Sequence, residues 1–216
     1  MLQNKKAIIF DLDGSLVDSM WIWKEIDIEY LQRFDIALPE NLQSEIEGMS
    51  FSETAAYFKK RFELRDSVDK IKQDWNEMAW HKYSHEVKLK KGAKELLDYA
   101  KAHSILLGIG SSNSKELVHE LVKSLEIKDY FHTIVTGCDV ENGKPSPEIY
   151  LKASSLMNID PKHCLVFEDI IPGIQAALNA GMHVCAVEDE YSMHQKDKKM
   201  ELAHYYIEEF YEVFSE

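Results

Sequence analysis

A doubly wound α/β fold with a helical insertion is predicted by three features of this sequence. Short apolar runs recur without alternating polar residues. From about residue 90 onward, helical periodicity fills the gaps between them. A block without strand character follows the first run at once. A strand covered by helices on both faces reads as an unbroken apolar run, because neither face meets water. Such runs alternating with amphipathic helices encode a parallel sheet wound on both sides.

The first strand covers 6–12 (KAIIFDL) and passes into residues 15–87, which read as helices over 21–34, 42–47, 52–62 and 66–85. An insertion at this point sits above the carboxyl end of the first strand, the edge where open α/β sheets bind ligands, so a helical lid over a ligand site is expected. The predicted organisation is a core of 1–14 and 89–216 with an inserted helical domain of 15–88. A helix over 94–103 leads to the second strand, 105–110 (ILLGIG). The helix over 114–125 repeats Leu117, Leu121 and Leu125 every four residues behind a capping Ser114. A third strand covers 132–136. Ser146, Pro147 and Glu148 then combine a capping hydroxyl, a first-turn proline and an acid at the positive dipole end, and predict a helix start. The fourth strand, 164–167, precedes a helix over 174–180 that ends at Gly181, a residue suited to a left-handed cap. Strands over 183–187 and, at the edge, 205–207 complete the sheet, with a closing helix in the tail to 214.

Composition narrows the function. Of 216 residues, 45% are apolar, enough for a packed core with a smaller companion. A net charge of -13 repels a nucleic-acid backbone, so no nucleic-acid partner is expected, and any bound phosphate must rely on local cations and backbone donors. Cys138, Cys164 and Cys185 have no metal-binding spacing and read as reduced thiols, which makes a cytoplasmic location the default. The basic start is followed by only a four-residue apolar run, 7–10, too short for a leader or a span, and no other run approaches the ~18 residues a membrane helix needs. No membrane partner is expected, and the chain should be a monomer or weak homodimer.

Four motifs carry chemistry. Asp11 and Asp13 end an apolar strand two positions apart. They point the same way, and Gly14 then turns the chain. Two crowded carboxylates need a shared proton or a hard cation such as Mg²⁺, although a strand-breaking Asp-Gly turn gives the same four letters. Ser111, Ser112 and Asn113 follow a buried strand and precede a helix, where hydroxyls and free N–H groups suit a phosphate or a simple N-cap. Lys144, ahead of Pro145 and Pro147, could neutralise a phosphate oxygen or a carboxylate. Glu168 and Asp169 again place two acids at a strand end. All four motifs lie on one rim of one sheet.

In this order the residues resemble the haloacid dehalogenase superfamily: DLDGSLVD at 11–18, a strand-end Ser111, GKPSPEIY at 143–150, and FED at 167–169 followed by Gly173 and an alanine-rich helix to Gly181 and Met182. The helical insertion resembles the cap of its beta-phosphoglucomutase-like subfamily. The resemblance covers essentially the whole chain and implies a Rossmann-like core with an α-helical cap domain. It further implies a Mg²⁺-dependent phosphohydrolase acting on a small phosphorylated metabolite, such as a sugar phosphate. Asp11 would be the nucleophile that forms an aspartyl-phosphate, and Asp13 the general acid–base. Mg²⁺ would be held by the Asp11 side chain, the Asp13 backbone carbonyl and Asp169. Ser111, Ser112, Asn113 and Lys144 would bind the phosphoryl group, with Glu168 positioning Lys144. Asp18 reads as a helix-start acid. Ile170, Ile171 and Pro172 depart from the serine that often follows the ED pair, and Pro172 is expected to stiffen that loop.

A mutase of the beta-phosphoglucomutase type is the alternative. Mutase relatives carry a cap arginine after a G-x-S element and a histidine after the first motif. Here Phe51 follows Gly48-Met49-Ser50, and Trp21 and Trp23 occupy the histidine region, which favours hydrolysis. A third alternative is a phosphate-ligand binding or regulatory protein on the same fold; the intact set Asp11, Asp13, Lys144 and Asp169 speaks against it.

Overall fold

The computed structural model describes residues 1–214. Its central sheet has six parallel strands: β1 (Ala7–Phe10), β4 (Leu106–Ser111), β5 (Thr133–Thr136), β6 (Cys164–Glu168), β7 (His183–Val187) and β8 (Tyr205–Ile207). The order across it is β5-β4-β1-β6-β7-β8, with Phe10 level with Ile109 on one side and Phe167 on the other. The chain therefore reverses direction on either side of β1, and the crevice of a doubly wound sheet opens above the tips of β1, β4 and β6.

Every residue of β1 is fully buried. Ile8 and Phe10 point to one core with α5 (Ala93–Ala102) and α6 (Lys115–Ser124), while Ala7 and Ile9 point to a second with α7 (Glu148–Leu156) and α8 (Ile171–Asn179). β1 thus lacks a polar face, which accounts for its unbroken apolar run. Phe10 stacks on Phe167 at 5.3 Å between ring centroids, and burying a ring of this size contributes on the order of 2 kcal/mol.

The chain between β1 and β4 holds α1 (Met20–Gln32), α2 (Leu42–Ile46), α3 (Phe51–Arg61) and α4 (Val68–His85). Ile22, Ile26 and Tyr30 give α1 its buried stripe; Ile71, Trp75, Ala79 and Tyr83 give α4 a longer one. A full capping box starts α3, with Ser50 Oγ accepting from Glu53 N while Glu53 accepts from Ser50 N. Ser67 caps α4 through Lys70 N. Asn76 accepts a 2.7 Å bond from Ser114 Oγ, and Phe51 N donates to Ser112 O at 2.8 Å, so these helices are tied to the tip of β4.

The structure departs from the sequence-based expectations at five places. Residues 15–88 contain strand after all: β2 (Val17–Asp18) pairs antiparallel with β3 (Lys88–Leu89), where the chain enters and leaves the helical segment. A two-residue ribbon has no periodicity to detect. Asp18 lies in β2 and is exposed, not at a helix start. Ser146 lies one residue before the N-cap position of α7, which Pro147 holds, although its Oγ still accepts from Glu148 N at 3.4 Å. Pro172 sits in the first turn of α8, which starts at Ile171, so the proline opens a helix instead of stiffening a loop. The 3₁₀ turn Glu190–Gln195 and α9 (Lys196–Leu202), unforeseen in a polar stretch, lie between β7 and β8. Gly181 does take the left-handed conformation, with φ +73°. No helix among the described residues is long and apolar enough to cross a membrane.

Candidate active site

Asp11 continues β1, its N–H donating to Phe167 O at 2.9 Å, so the β-ladder itself sets its side chain beside the tip of β6. There Asp11, Glu168 and Asp169 bring carboxylate oxygens within 4.8 Å of one another, all buried. Lys144, only 6% exposed, enters from the loop before α7. Its Nζ donates to Asp11 Oδ1 at 2.5 Å and also to Glu168 Oε1. Glu168 is held from three further sides: Tyr150 OH donates to Oε1 at 2.8 Å, and the N–H groups of Asp169 and Ile170 donate to Oε2. This is a closed polar network in which Glu168 fixes Lys144 and Lys144 fixes Asp11.

Two glycines make the cluster sterically possible. A Cβ on Gly173 would fall 1.7 Å from Glu168 Oε1, so only a bare backbone at the start of α8 admits that carboxylate. Gly14 has φ +82°, and a Cβ there would lie 2.4 Å from Asp169 Oδ2.

The electrostatics of the cluster are unbalanced. Burial pushes Asp11 up to about 8, against the pull of the Lys144 ammonium. Burial also holds Asp169 well above the ordinary carboxylate range, with repulsion from Glu168 and Asp11 adding to it. With all three carboxylates ionised, one bonded ammonium would leave two negative charges uncompensated in a buried place. A divalent cation with oxygen ligands fits that deficit in charge and in ligand type. Ser15 Oγ donates to Asp169 Oδ1 at 3.1 Å and orients it.

Asp13 lies alongside with a different set of partners. Ser19 Oγ donates to Oδ1 at 2.6 Å, Tyr83 OH donates to the same oxygen, and Asn113 Nδ2 donates to Oδ2 at 3.0 Å. Tyr83, fully buried on α4, accepts in turn from Trp23 Nε1 and Asn113 Nδ2, both at 2.9 Å. Burial first, then the Asp13 charge, keeps its phenol protonated far above neutral pH. The hydroxyl therefore has one proton to give and two lone pairs to fill, and all three are used.

The predicted site residues Asp11, Asp13, Ser111, Ser112, Asn113, Lys144 and Asp169 line one cavity of about 260 Å³, with Glu168 behind Lys144. Ser111 is buried at the tip of β4, its Oγ accepting from Asn113 N. The Asn113 side chain is engaged by Asp13, Tyr83 and Ser114 N. Sequence reasoning missed Tyr83, Ser19, Tyr150 and Asp27. Tyr83 lies at the end of the α4 stripe and reads as core, which it also is. His81 and His85 stack on the exposed side of α4 with no third ligand among the described residues.

Comparison with known proteins gives the family. Residues 8–187 match the family described as haloacid dehalogenase-like hydrolase. The chain is 31% identical over 177 residues to a phosphorylated carbohydrates phosphatase of Thermotoga maritima, covering 82% of each chain. It is 29% identical over 195 residues to a beta-phosphoglucomutase of Bacillus subtilis, covering 84% of this chain and 83% of that one. Among solved structures, CbbY from Rhodobacter sphaeroides in complex with phosphate has the same fold, with a TM-score of 0.86 at 22% identity over 97% of this chain and 96% of that one. The match runs from β1 through β7 and includes every element that carries the acidic cluster: this chain belongs to the haloacid dehalogenase-like hydrolase family.

Proposed function

We propose that the chain is a Mg²⁺-dependent phosphohydrolase of a small phosphorylated metabolite, working through an aspartyl-phosphate on Asp11. The observation that carries this reading is the buried Asp11, bonded to Lys144 and within 4.8 Å of Asp169, on the floor of a cavity that also contains Asp13. The phosphatase relative of Thermotoga maritima supports the reaction class.

In the first step an Asp11 carboxylate oxygen attacks phosphorus as the bond to the ester oxygen breaks, and Asp13 gives its proton to the departing alkoxide. In the second, Asp13 takes a proton from water, whose oxygen attacks phosphorus and releases Asp11 and inorganic phosphate. Ser111 and the Ser112 N–H cradle the phosphoryl oxygens, while Lys144 balances charge between them and Asp11. Mg²⁺, held by Asp11, the Asp13 carbonyl and Asp169, would supply neutralisation of the phosphoryl charge. Tyr83, Ser19 and Asn113 hold Asp13 in place between the two proton transfers. In this reading residues 15–88 form a cap over the core of 1–14 and 89–216 and exclude bulk water. The free Cys138, Cys164 and Cys185 support a reducing, cytoplasmic setting.

A mutase must anchor a second phosphate. Among the described residues Lys144 is the one lysine or arginine on the cavity wall, and it is bonded to Asp11 and Glu168. Arg61 pairs with Glu45, and Lys59 with backbone carbonyls of 64 and 66, away from the cavity. Hydrolysis is favoured on that ground. The test is a panel of sugar mono- and bisphosphates and other phosphoesters, assayed with and without Mg²⁺ for phosphate release and for isomer formation. Phosphate release only with Mg²⁺ is expected; isomer formation without release would replace the reading with the mutase.

A further inference from the structure

The cavity extends from the phosphoryl site into the helical segment, and its wall there has a specific chemistry. Met20, Trp23, Ile46, Met49, Phe51 and Trp75 make it largely apolar. The aromatic rings are fixed against one another: Trp23 meets Phe51 at 6.0 Å and Phe51 meets Trp75 at 5.6 Å, both edge to face. Within this apolar wall sits Asp27 of α1, 5% exposed. One of its oxygens, Oδ2, accepts from Gln43 Nε2 at 2.7 Å. Oδ1 has no partner among the described residues, and neither oxygen faces a lysine or arginine. A buried carboxylate without a cation costs stability, and the catalytic scheme makes no use of it.

The other charged groups of this outer wall do not correct the imbalance. Glu47 adds a second acid, bonded by Gln195 Nε2 at 2.5 Å, and His194 lies beside Gln195. The region that must hold the alcohol part of the substrate is therefore apolar in body and lined by acids. An anionic group there would meet no lysine or arginine other than the engaged Lys144. A cationic group would gain a charge-assisted hydrogen bond in a place sheltered from water.

We propose that Asp27 is the recognition site for a protonated amine on the alcohol portion of the substrate, so that the enzyme acts on a small phosphomonoester carrying a basic nitrogen. This rests on the phosphohydrolase reading and extends it to a substrate class. The phosphoryl group goes to Ser111 and Lys144. The carbon body packs among Trp23, Phe51 and Trp75, and the ammonium donates to Asp27 Oδ1, with Gln43 holding Oδ2 so that the free oxygen faces the ligand. The volume of about 260 Å³ suits a compact metabolite. Burial pushes Asp27 up to about 7, so an ammonium beside it would favour the carboxylate, whose proton passes to solvent, and complete an ion pair that the protein itself leaves half made.

The test uses matched pairs that differ in an amino group and a hydroxyl: glucosamine 6-phosphate against glucose 6-phosphate, pyridoxamine 5′-phosphate against pyridoxine 5′-phosphate, and phosphoethanolamine against ethylene glycol phosphate. With the Mg²⁺-loaded enzyme, kcat/KM for the amine of at least one pair is expected to exceed that of its partner about tenfold or more. In Asp27→Asn, which keeps shape and an acceptor for Gln43, that ratio should fall by about tenfold. Binding of the same compounds to Asp11→Asn with Mg²⁺, followed by the fluorescence of the cavity tryptophans, gives a readout independent of turnover. Turnover without an amine preference, or a preference unchanged in Asp27→Asn, overturns the proposal and leaves the phosphohydrolase reading standing. Tight amine-selective binding without turnover of any phosphoester overturns the phosphohydrolase reading and keeps the Asp27 site. Neither binding nor turnover of any compound overturns both.

Discussion

Asp13 and Asp27 are both acids of the cavity wall, and their neighbours give them opposite characters. Three donors converge on Asp13, two of them from outside its own loop, so its position depends on Tyr83. Tyr83→Phe removes the donor to Asp13 and leaves the Trp23 and Asn113 N–H groups facing carbon. The expected result is a loss of about tenfold in kcat with a smaller change in KM, and a stability loss of about 1–2 kcal/mol. An unchanged kcat with only the stability loss would show that Tyr83 is core alone. Asp27 has a single donor, and burial raises it from 3.8 to about 7. The unfolded chain releases this proton near 3.8 and the folded chain keeps it to about 7, so rising pH favours the unfolded state across that window. The penalty is absent below the lower value and complete above the upper one, where it reaches on the order of 4 kcal/mol. Asp27→Asn should therefore raise Tm relative to the parent chain, more at pH 8 than at pH 5. A difference that is equal at the two pH values would mean that Asp27 titrates like an exposed acid.

At the scale of elements, the strand tips do the positioning, and the glycines around them decide what fits. Glu168 reaches Lys144 only because α8 presents Gly173 to it. Gly173→Ala would displace that carboxylate and leave a buried ammonium short of a partner. A loss of more than about 3 kcal/mol is expected, seen as a fall in the urea midpoint. Gly181→Ala is the control: nothing lies within 4 Å of its Cβ, and only its left-handed φ is strained, for about 1 kcal/mol. Equal losses in the two variants would contradict the packing account. These elements also mark where sequence reading succeeds. The six strands of the sheet are legible because two-sided burial leaves continuous apolar runs, and α6 because the capping Ser114 precedes a regular stripe, whereas the Ser50 and Ser67 caps of α3 and α4 emerge only in the structure. The β2–β3 ribbon is not, because two residues carry no period, and Pro147 and Pro172 show that the same residue can stand just outside a helix or inside its first turn. The acids at the tips of β1 and β6 are legible as a cluster because parallel strands bring their carboxyl ends to one rim. Tyr83 and Asp27 are hidden because each sits on a helix stripe whose partners are far away in sequence: Tyr83 meets Asp13 seventy positions away, and Asp27 meets Gln43 sixteen away.

At the scale of the whole molecule, the proposed function asks a chain of net charge -13 to bind an anionic ligand at a point where one lysine is enclosed by acids. Long-range attraction would contribute nothing to this; in that reading the sheet edge, the donors at the tip of β4 and a divalent cation would have to overcome the general repulsion. The helical segment closes the other side, tied to the core through Phe51 N to Ser112 O, Ser114 to Asn76 and Gly143 N to Glu53. In the proposed mechanism Asp11 bonds covalently to phosphorus. An aryl phosphate has a leaving group that departs without help from an acid, so loss of Asp13 should spare the first step and stall the second, which needs a base. The decisive measurement is peptide mass spectrometry of acid-quenched Asp13→Asn incubated with p-nitrophenyl phosphate and Mg²⁺. Phosphate on Asp11, absent when Asp11 is also replaced by Asn, is the predicted result; sustained phosphate release by Asp11→Asn, or a phosphorylated residue other than Asp11, would contradict it.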